Sequence, residues 1–299
     1  MQQKEEYVAK TFLGLEEVLA QELKALGAEG VEPLNRAAKF TGDKALMYQA
    51  NLSLRTALKI LKPIKKFRCT GEQDLYKAIY DYPWEELFNL YNTFLIDSVV
   101  SSKFFKHSQY VALKAKDAIA DRFRDKYNKR PSVNKTQPDF RINLHISHDR
   151  CTLSLDSSGE SLHKRGYKAK NVRAPLNEVL AAGLILLSDW DQQSPFIDPM
   201  CGSATLPIEA ALIANNIAPG SYREHFDFMN WHDFDHLLFQ EMKNKIKTRP
   251  GKKVTIQGCD ISSHAIQTSK ENLEQAGLSR HVELFETSLA EYTPPSADN

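Results

Sequence analysis

The chain has 299 residues, of which 42% are hydrophobic and 26% charged, and its formal net charge is +1. These values are typical of folded globular proteins and do not support a largely disordered chain, and the length predicts two domains of ordinary size. The N-terminus lacks a basic start followed by an apolar core, and no apolar run approaches the roughly 20 residues of a membrane helix. We therefore expect a cytoplasmic protein that is not embedded in a membrane.

The charge is distributed unevenly along the chain. Residues 103–173 hold 17 Lys and Arg against 7 Asp and Glu, a local charge of +10. Such a stretch can neutralise phosphates and supply the sequence-independent part of nucleic-acid affinity. The alternative interpretation is an ordinary solvated face.

Short strands and helices alternate in the first hundred residues. Residues 7–12 are strand-like, and apolar residues then recur at helical spacing over 15–26, ending at Gly27. A strand over 31–41 and a helix beginning near Asp43 form a second strand–helix unit. This order predicts a small α+β sandwich.

Residues 114–127 predict a basic amphipathic helix, because small and aromatic residues share one face while cations occupy the others. Two alternating strands follow at 140–147 and 151–156, and residues 157–175 then form a Ser, Gly, Lys and Arg-rich linker. Pro175 predicts the first turn of a new helix and marks a domain boundary. The candidate RNA-binding residues of this stretch are Lys114, Lys116, Arg122, Arg124, Lys126, Lys129, Arg130, Lys164 and Arg165.

A short apolar strand ending at Asp198 leads into a turn of small residues, 199–204, and then into a helix. This is the pattern of the first strand and helix of a doubly wound sheet, in which ligands bind at the carboxyl ends of the strands. The turn matches neither GxGxxG nor a phosphate loop, whereas a helix N-terminus favours a carboxylate and Asp198 suits a positive centre. A second strand ends at Asp260, which is placed to accept hydrogen bonds from a ribose diol. A third strand ends near Ser288, where an adenine edge is expected.

Three blocks, DSSGESLHKRGYK, APLNEVLAAGLILLSDW and IDPMCGSATLPIEAALIANNIAPG, resemble the bacterial THUMP-domain RNA methyltransferases, most closely the 23S rRNA guanine-N2 methyltransferases. The resemblance runs from about residue 7 to the end and is strongest over 156–220. It implies S-adenosylmethionine as cofactor and RNA, specifically 23S rRNA, as partner.

The resemblance also implies a fold of mixed α/β and α+β class. A ferredoxin-like region (1–60) and a THUMP RNA-binding domain (61–160) would precede a partial Rossmann-like methyltransferase domain (161–299) with a helical insertion at about 218–253. The cofactor-binding residues that it implies, together with the strand ends above, are Asp198, Pro199, Gly202, Ser203, Ala204, Thr205, Asp260 and Ser288.

Two positions depart from the family pattern. The family usually has glycine where Ala204 stands, so one methyl group is added beside the cofactor. An acidic residue usually ends the third strand, and Ser288 aligns at that position.

The insertion contains aromatic residues that can be interpreted in two ways. Phe226, Phe228, Trp231, Phe234 and Phe239 could stack on flipped RNA bases, or they could form the apolar face of a small helical subdomain. Residues 232–236, HDFDH, resemble the zinc pattern HExxH, but Asp replaces Glu and no third ligand follows. The four cysteines form no CxxC pair, so we expect reduced thiols and no metal site.

The family's Asn/Asp-Pro-Pro-aromatic motif, which holds the target base, is absent, and Pro294-Pro295 lacks both flanking residues. No catalytic residue is therefore assigned, and we expect these 299 residues alone to bind RNA and cofactor without turnover. A non-catalytic RNA-binding protein with a vestigial methyltransferase fold is the alternative. A nicotinamide-dependent enzyme is disfavoured because GxGxxG is missing.

Overall fold

The computed structural model describes residues 4–168, 175–246 and 254–293. An eight-stranded sheet lies before residue 157, and a three-stranded sheet lies after residue 195. The elements of the first part are β1 (Glu5–Lys10), α1 (Glu16–Ala25), β2 (Glu29–Leu34), β3 (Ala37–Gly42), α2 (Lys44–Ser53), β4 (Lys59–Arg68), α3 (Glu72–Tyr80), β5 (Thr93–Ser101), α4 (Ser108–Tyr127), β6 (Ser132–Val133), β7 (Phe140–Ser147) and β8 (Arg150–Asp156).

The large sheet has the strand order β2-β3-β1-β4-β8-β7-β5-β6. Strand β4 pairs antiparallel with β1 on one side and with β8 on the other. The sheet therefore continues across residues 60 and 61, where we expect the boundary between the first two domains. The two N-terminal regions share one backbone hydrogen-bond network.

Local sequence explains most of these elements. The side chain of Asp43 caps α2 by accepting a hydrogen bond from the Leu46 backbone N–H at 2.9 Å. In β7 alternate residues are buried, as a strand with one face on the core requires. The predicted ferredoxin-like and THUMP architecture is thus built from ordinary amphipathic strands and capped helices.

Three element boundaries differ from the sequence predictions. Residues 31–41 form parts of two strands, β2 and β3, because the chain reverses at Arg36, whose φ is 55°. Helix α4 begins at Ser108, six residues before the predicted start. The helix predicted to begin at Pro175 begins at Glu178, since the Asn177 side chain accepts hydrogen bonds from the Val179 and Leu180 backbone N–H groups.

The second part of the chain holds a parallel sheet with the order β11-β10-β9. Cα pairing places Gly258 opposite Asp198 and Asp260 opposite Glu286, so the three strands end at one edge. The elements of this part are α5 (Glu178–Leu187), β9 (Phe196–Asp198), α6 (Thr205–Ala214), α7 (His236–Ile246), β10 (Ile256–Asp260), α8 (Ser263–Gln275) and β11 (Glu283–Glu286).

The aromatic residues of the insertion pack against the N-terminal region. Phe228 lies 4.6 Å from Tyr48 of α2 and Phe239 lies 5.7 Å from it, measured between ring centroids. Phe226, Phe228, Trp231 and Phe239 are buried in the same core as the large sheet, and burying each side chain contributes on the order of 1.5–3 kcal/mol. The prediction that these four rings stack on RNA is therefore wrong. The rings do not form a separate subdomain either, because they share a core with the N-terminal sheet.

Candidate cofactor site and RNA-binding surface

The predicted cofactor residues come together at the carboxyl edge of the parallel sheet. The turn after β9 is tied to β10 twice: the Cys201 N–H donates to the Cys259 carbonyl at 2.7 Å, and the Gly202 N–H donates to Asp260 Oδ2 at 3.0 Å. Asp260 also accepts from the Ser262 N–H through Oδ1 at 2.9 Å. This carboxylate joins the turn and the start of α8 into one site.

We call residues 199–205 the cofactor loop. Gly202 has φ 55° and Ala204 has φ 61° and ψ 30°, both in the left-handed region. The sequence analysis treats Ala204 as one extra methyl group, and the structure adds a backbone reason for the family's glycine. An L residue pays about 1–2 kcal/mol in this conformation, which glycine avoids.

Asp198 is half-buried just below the loop and accepts a hydrogen bond from the Met200 N–H at 3.2 Å. Burial raises the pKa of this carboxyl, the Met200 N–H opposes that shift, and the nearby charge of Asp260 raises the pKa further. Two carboxylates at one strand edge favour a ligand with a positive centre.

The first residue of α6 carries a polar group that the protein leaves unsatisfied. Thr205 is 3% exposed, and its hydroxyl has no hydrogen-bond partner among the residues that the structure describes. A buried unpaired hydroxyl costs about 1–3 kcal/mol, and it sits beside backbone N–H groups that a helix N-terminus also leaves free. The donor set fits the carboxylate of an amino-acid ligand.

Sequence reasoning missed an apolar rim around this site. Met200, Ile261 and Leu289 are 72%, 75% and 59% exposed, and each follows a different strand of the parallel sheet by one to three residues. Three exposed apolar side chains at one edge can cover a flat aromatic ligand. The available signal is an apolar residue within three positions of each strand end.

Three other predicted positions have clear surroundings. Pro199 is half-buried in the loop, and Ser203 is buried. Ser288 lies two residues beyond β11, where the adjacent Thr287 N–H donates to the Asp260 carbonyl, and the Ser288 hydroxyl donates to Glu291 Oε2 at 2.9 Å. An adenine contact from Ser288 stays a prediction.

Acidic side chains neutralise several predicted RNA-binding cations of α4. Arg122 forms a two-pronged ion pair with Glu85, at 2.8 and 2.7 Å, and Lys126 reaches the same carboxylate at 2.6 Å. The Arg122 hydrogen bond holds the pKa of Glu85 well below its usual range. The Arg122 side chain is 21% exposed, and because Glu85 already neutralises its charge we do not propose it as an RNA contact.

The remaining α4 cations are more exposed. Lys116 pairs with Asp117 at 2.5 Å and Arg124 pairs with Asp121 at 2.9 Å, both at the surface. Lys114 lies over the ring of Tyr76, 5.4 Å from its centroid.

Lys129 and Arg130, just beyond α4, are exposed and form no ion pair within the described residues. They are the cations of the predicted set best placed to meet phosphates.

The two linker cations differ in burial. Lys164 is exposed and pairs with Glu160 at 2.9 Å. Arg165 is 2% exposed, its Nε lies 3.4 Å from Glu209 Oε1, and it donates to the Leu162 and Arg55 carbonyls. The prediction that Arg165 binds RNA is wrong, because this side chain is a buried tie between the linker and α6.

Within residues 4–168, 175–246 and 254–293, no group of three or more His, Cys, Asp or Glu side chains is placed to hold a metal ion. The same ranges contain no helix long and apolar enough to cross a membrane. The Pro-Pro pair at 294–295 and the linker cations beyond residue 168 lie outside the described residues.

Family models match the chain in three consecutive segments. Residues 6–61 match the RlmL ferredoxin-like domain, residues 69–156 match the THUMP domain, and residues 165–296 match the RMKL-like methyltransferase domain. The resemblance and the fold class expected from the sequence are confirmed.

Two relatives are similar over nearly the whole chain. A Synechocystis sp. protein named as a candidate RNA methyltransferase is 39% identical over 296 residues, which cover 98% of this chain and 77% of that protein. The ribosomal RNA large subunit methyltransferase K/L of Magnetococcus marinus is 38% identical over 292 residues, 95% of this chain and 40% of that protein.

Two solved structures share the fold. SMU.472, a candidate methyltransferase in complex with S-adenosylhomocysteine, has a TM-score of 0.85 at 29% identity, covering 99% of this chain and 78% of that one. A predicted N6-adenine-specific DNA methylase from Listeria monocytogenes has a TM-score of 0.86 at 30% identity, covering 98% and 77%. The chain belongs to the family of RNA methyltransferases that join a ferredoxin-like domain and a THUMP domain to an RMKL-like methyltransferase domain.

Proposed function

We propose that this chain supplies the cofactor site and the RNA-binding region of a methyltransferase that acts on the N2 amino group of a guanine in 23S rRNA. The cofactor is S-adenosylmethionine. The observation that carries the proposal is the strand-edge site, in which Asp260 ties the cofactor loop to β10 and the Thr205 hydroxyl is left without a partner. The rRNA target is supported by the resemblance of the sequence blocks and by the K/L relative.

Each part of the cofactor fits a different group of this site. Asp260 is placed to accept hydrogen bonds from the ribose hydroxyls, and the apolar rim covers the adenine. The cofactor loop and the α6 N-terminus suit the carboxylate of the methionine part. The donors available to that carboxylate include the Thr205 hydroxyl. The two strand-edge carboxylates, Asp198 and Asp260, favour the ammonium and sulfonium charges.

The bound cofactor supplies a methyl group on a sulfonium, which is a good leaving group. Transfer to the target amino group would form a nitrogen–carbon bond, break the carbon–sulfur bond and release one amino proton to water. Alignment of the three reacting atoms is the main requirement, so the protein acts by positioning. Contacts from the loop and the strand ends would fix the position of the sulfur and the methyl group, which leaves the target amino group as the remaining atom to be aligned.

RNA binding is proposed for the exposed cations and not for the buried ones. Lys129 and Arg130 lie in the THUMP segment and Lys164 lies in the linker, between that segment and the methyltransferase domain. Phosphate contacts of this kind orient the RNA without reading its sequence.

The test uses the full-length protein that contains this chain, S-adenosylmethionine labelled on its methyl group, and 23S rRNA that lacks the modification. We expect label in N2-methylguanosine when the RNA is digested and separated by mass spectrometry. Label in N6-methyladenine of a DNA substrate, as the name of the Listeria neighbour would suggest, would reassign the target. Failure of the protein to bind S-adenosylhomocysteine, with RNA binding intact, would instead support the non-catalytic alternative.

A further inference from the structure

Two buried polar residues of α8 contact the cofactor loop from behind. The Ser269 hydroxyl donates to the Gly202 carbonyl at 2.7 Å, and the Asn272 side-chain amide donates to the Ser203 carbonyl at 3.1 Å. Both residues are fully buried. They belong to the buried face of α8, which also includes Ala265, Ile266, Thr268 and Leu273.

We propose that Ser269 and Asn272 are positioning residues, which orient the backbone of the cofactor loop so that the Ser203 N–H and the N-terminus of α6 bind the carboxylate of the cofactor's amino-acid part. This inference rests on the proposed function, because it assigns a role toward the ligand of the same site.

Peptide geometry gives the mechanism. In a trans peptide the N–H points opposite to the C=O, so drawing the Gly202 carbonyl onto Ser269 turns the Ser203 N–H away from α8. Asp260 holds the other side of Gly202 by accepting from its N–H. The residue is thus held from both sides in a left-handed conformation.

The second contact fixes the next peptide. Asn272 holds the Ser203 carbonyl, while the following N–H, that of Ala204, donates to the Cys201 carbonyl at 2.8 Å. This closes the turn directly before α6. The partnerless Thr205 hydroxyl and the α6 N-terminus lie next in the chain, so the turn ends in a group of donors suited to an anion.

Loss of either contact would leave a loop carbonyl without its buried donor and free the turn to rotate. The loop binds the amino-acid part of the cofactor, whereas the ribose and adenine depend on Asp260 and the apolar rim. The variants should therefore weaken ligands that carry the amino-acid part and spare ligands that lack it.

The experiment compares S-adenosylhomocysteine with 5′-methylthioadenosine, which keeps the nucleoside and the sulfur but has no amino acid. The dissociation constant of each is measured by calorimetry for wild type, Ser269→Ala and Asn272→Ala. We expect S-adenosylhomocysteine to bind about tenfold more weakly to each variant, and 5′-methylthioadenosine to change by less than about twofold.

A matched control is Thr268→Val, which removes a hydroxyl from a buried neighbour on the same helix. None of the hydrogen bonds of the described residues joins Thr268 to the cofactor loop, so both affinities should stay as in wild type. Melting temperatures of the three variants show whether each is folded before binding is compared.

Unchanged affinity for S-adenosylhomocysteine in both α8 variants would overturn the proposal, and so would an equal loss for both ligands, since that would indicate general support of the pocket. If the wild-type protein binds neither ligand, the proposed function itself fails and the inference falls with it. The wild-type titration therefore separates the two failures.

Discussion

Local sequence predicts a function for both the cofactor loop and the basic stretch of residues 103–173, but the two regions differ in how far the residues that decide that function are neighbours in the chain. In the loop, backbone conformation at Gly202 and Ala204 and the N-terminus of α6 build the site, and these groups are neighbours in the chain. In the basic stretch, function depends on charges that remain free, and acids distant in sequence neutralise Arg122 and Arg165. Local sequence therefore predicts the position of a backbone turn better than it predicts which charges stay free of partners.

Within the basic stretch, buried and exposed cations should differ most in their contribution to stability, and the largest effect is expected at the buried Arg165. Its partner Glu209 is fully buried, so Arg165→Met leaves a buried carboxylate that keeps the Tyr167 hydroxyl as a donor but loses its ion-pair partner, and the free energy of unfolding should fall by about 3–5 kcal/mol. Urea unfolding followed by circular dichroism measures this change.

Lys164→Met is the neighbouring control, and its exposed ion pair with Glu160 should contribute less than about 1 kcal/mol. A fully stable Arg165→Met variant with weakened RNA binding would return Arg165 to the RNA-binding surface.

A smaller effect should distinguish free from paired cations in RNA binding. The double variant Lys129→Glu/Arg130→Glu removes two unpaired cations and should weaken affinity about tenfold or more, with a salt dependence shallower by about 1.4–1.8 in the log–log slope. Fluorescence anisotropy with a labelled rRNA fragment over a salt series measures both quantities.

Lys116→Glu/Arg124→Glu changes the net charge by the same amount at cations already paired with Asp117 and Asp121. This control should lose less affinity and keep more of the slope. Equal losses for the two double variants would show that net charge decides binding and that ion pairing within α4 does not.

The smallest effect is expected in the loop. Ala204→Gly relieves a left-handed alanine but deletes a buried methyl group, so the free energy of unfolding should rise by up to about 1 kcal/mol. Affinity for S-adenosylhomocysteine should stay within about twofold of wild type. Destabilisation in the same urea assay would mean that packing of the methyl group outweighs backbone strain.

Much of the fold is predictable from sequence because the signals are local. The cap at Asp43 and the alternating residues of β7 specify their elements directly, and the family blocks identify the strand–turn–helix at Asp198. Burial of the insertion aromatics against Tyr48 could not be predicted, since the partners lie about 180 residues apart in the chain.

The same limit applies to the site. Asp260 and the small-residue turn follow from strand ends in one parallel sheet, a rule that sequence order can apply. Ser269 and Asn272 occupy the buried face of α8, where polar residues are easily taken for solvent-facing positions. Only the packing of α8 on the loop shows that their donors meet the Gly202 and Ser203 carbonyls.

The most direct test of the cofactor site compares two carboxylates at opposite ends of one pair of neighbouring strands. Asp260 is tied to the cofactor loop at the carboxyl end of β10, and Glu283 lies at the start of β11, where it accepts a hydrogen bond from the Gln257 side chain. Calorimetric titration should show about 100-fold weaker binding of S-adenosylhomocysteine to Asp260→Ala, which loses two charge-assisted hydrogen bonds to the ribose hydroxyls, and less than about a threefold change for Glu283→Ala. Wild-type affinity in the Asp260→Ala variant would contradict the assignment of this strand edge to the cofactor.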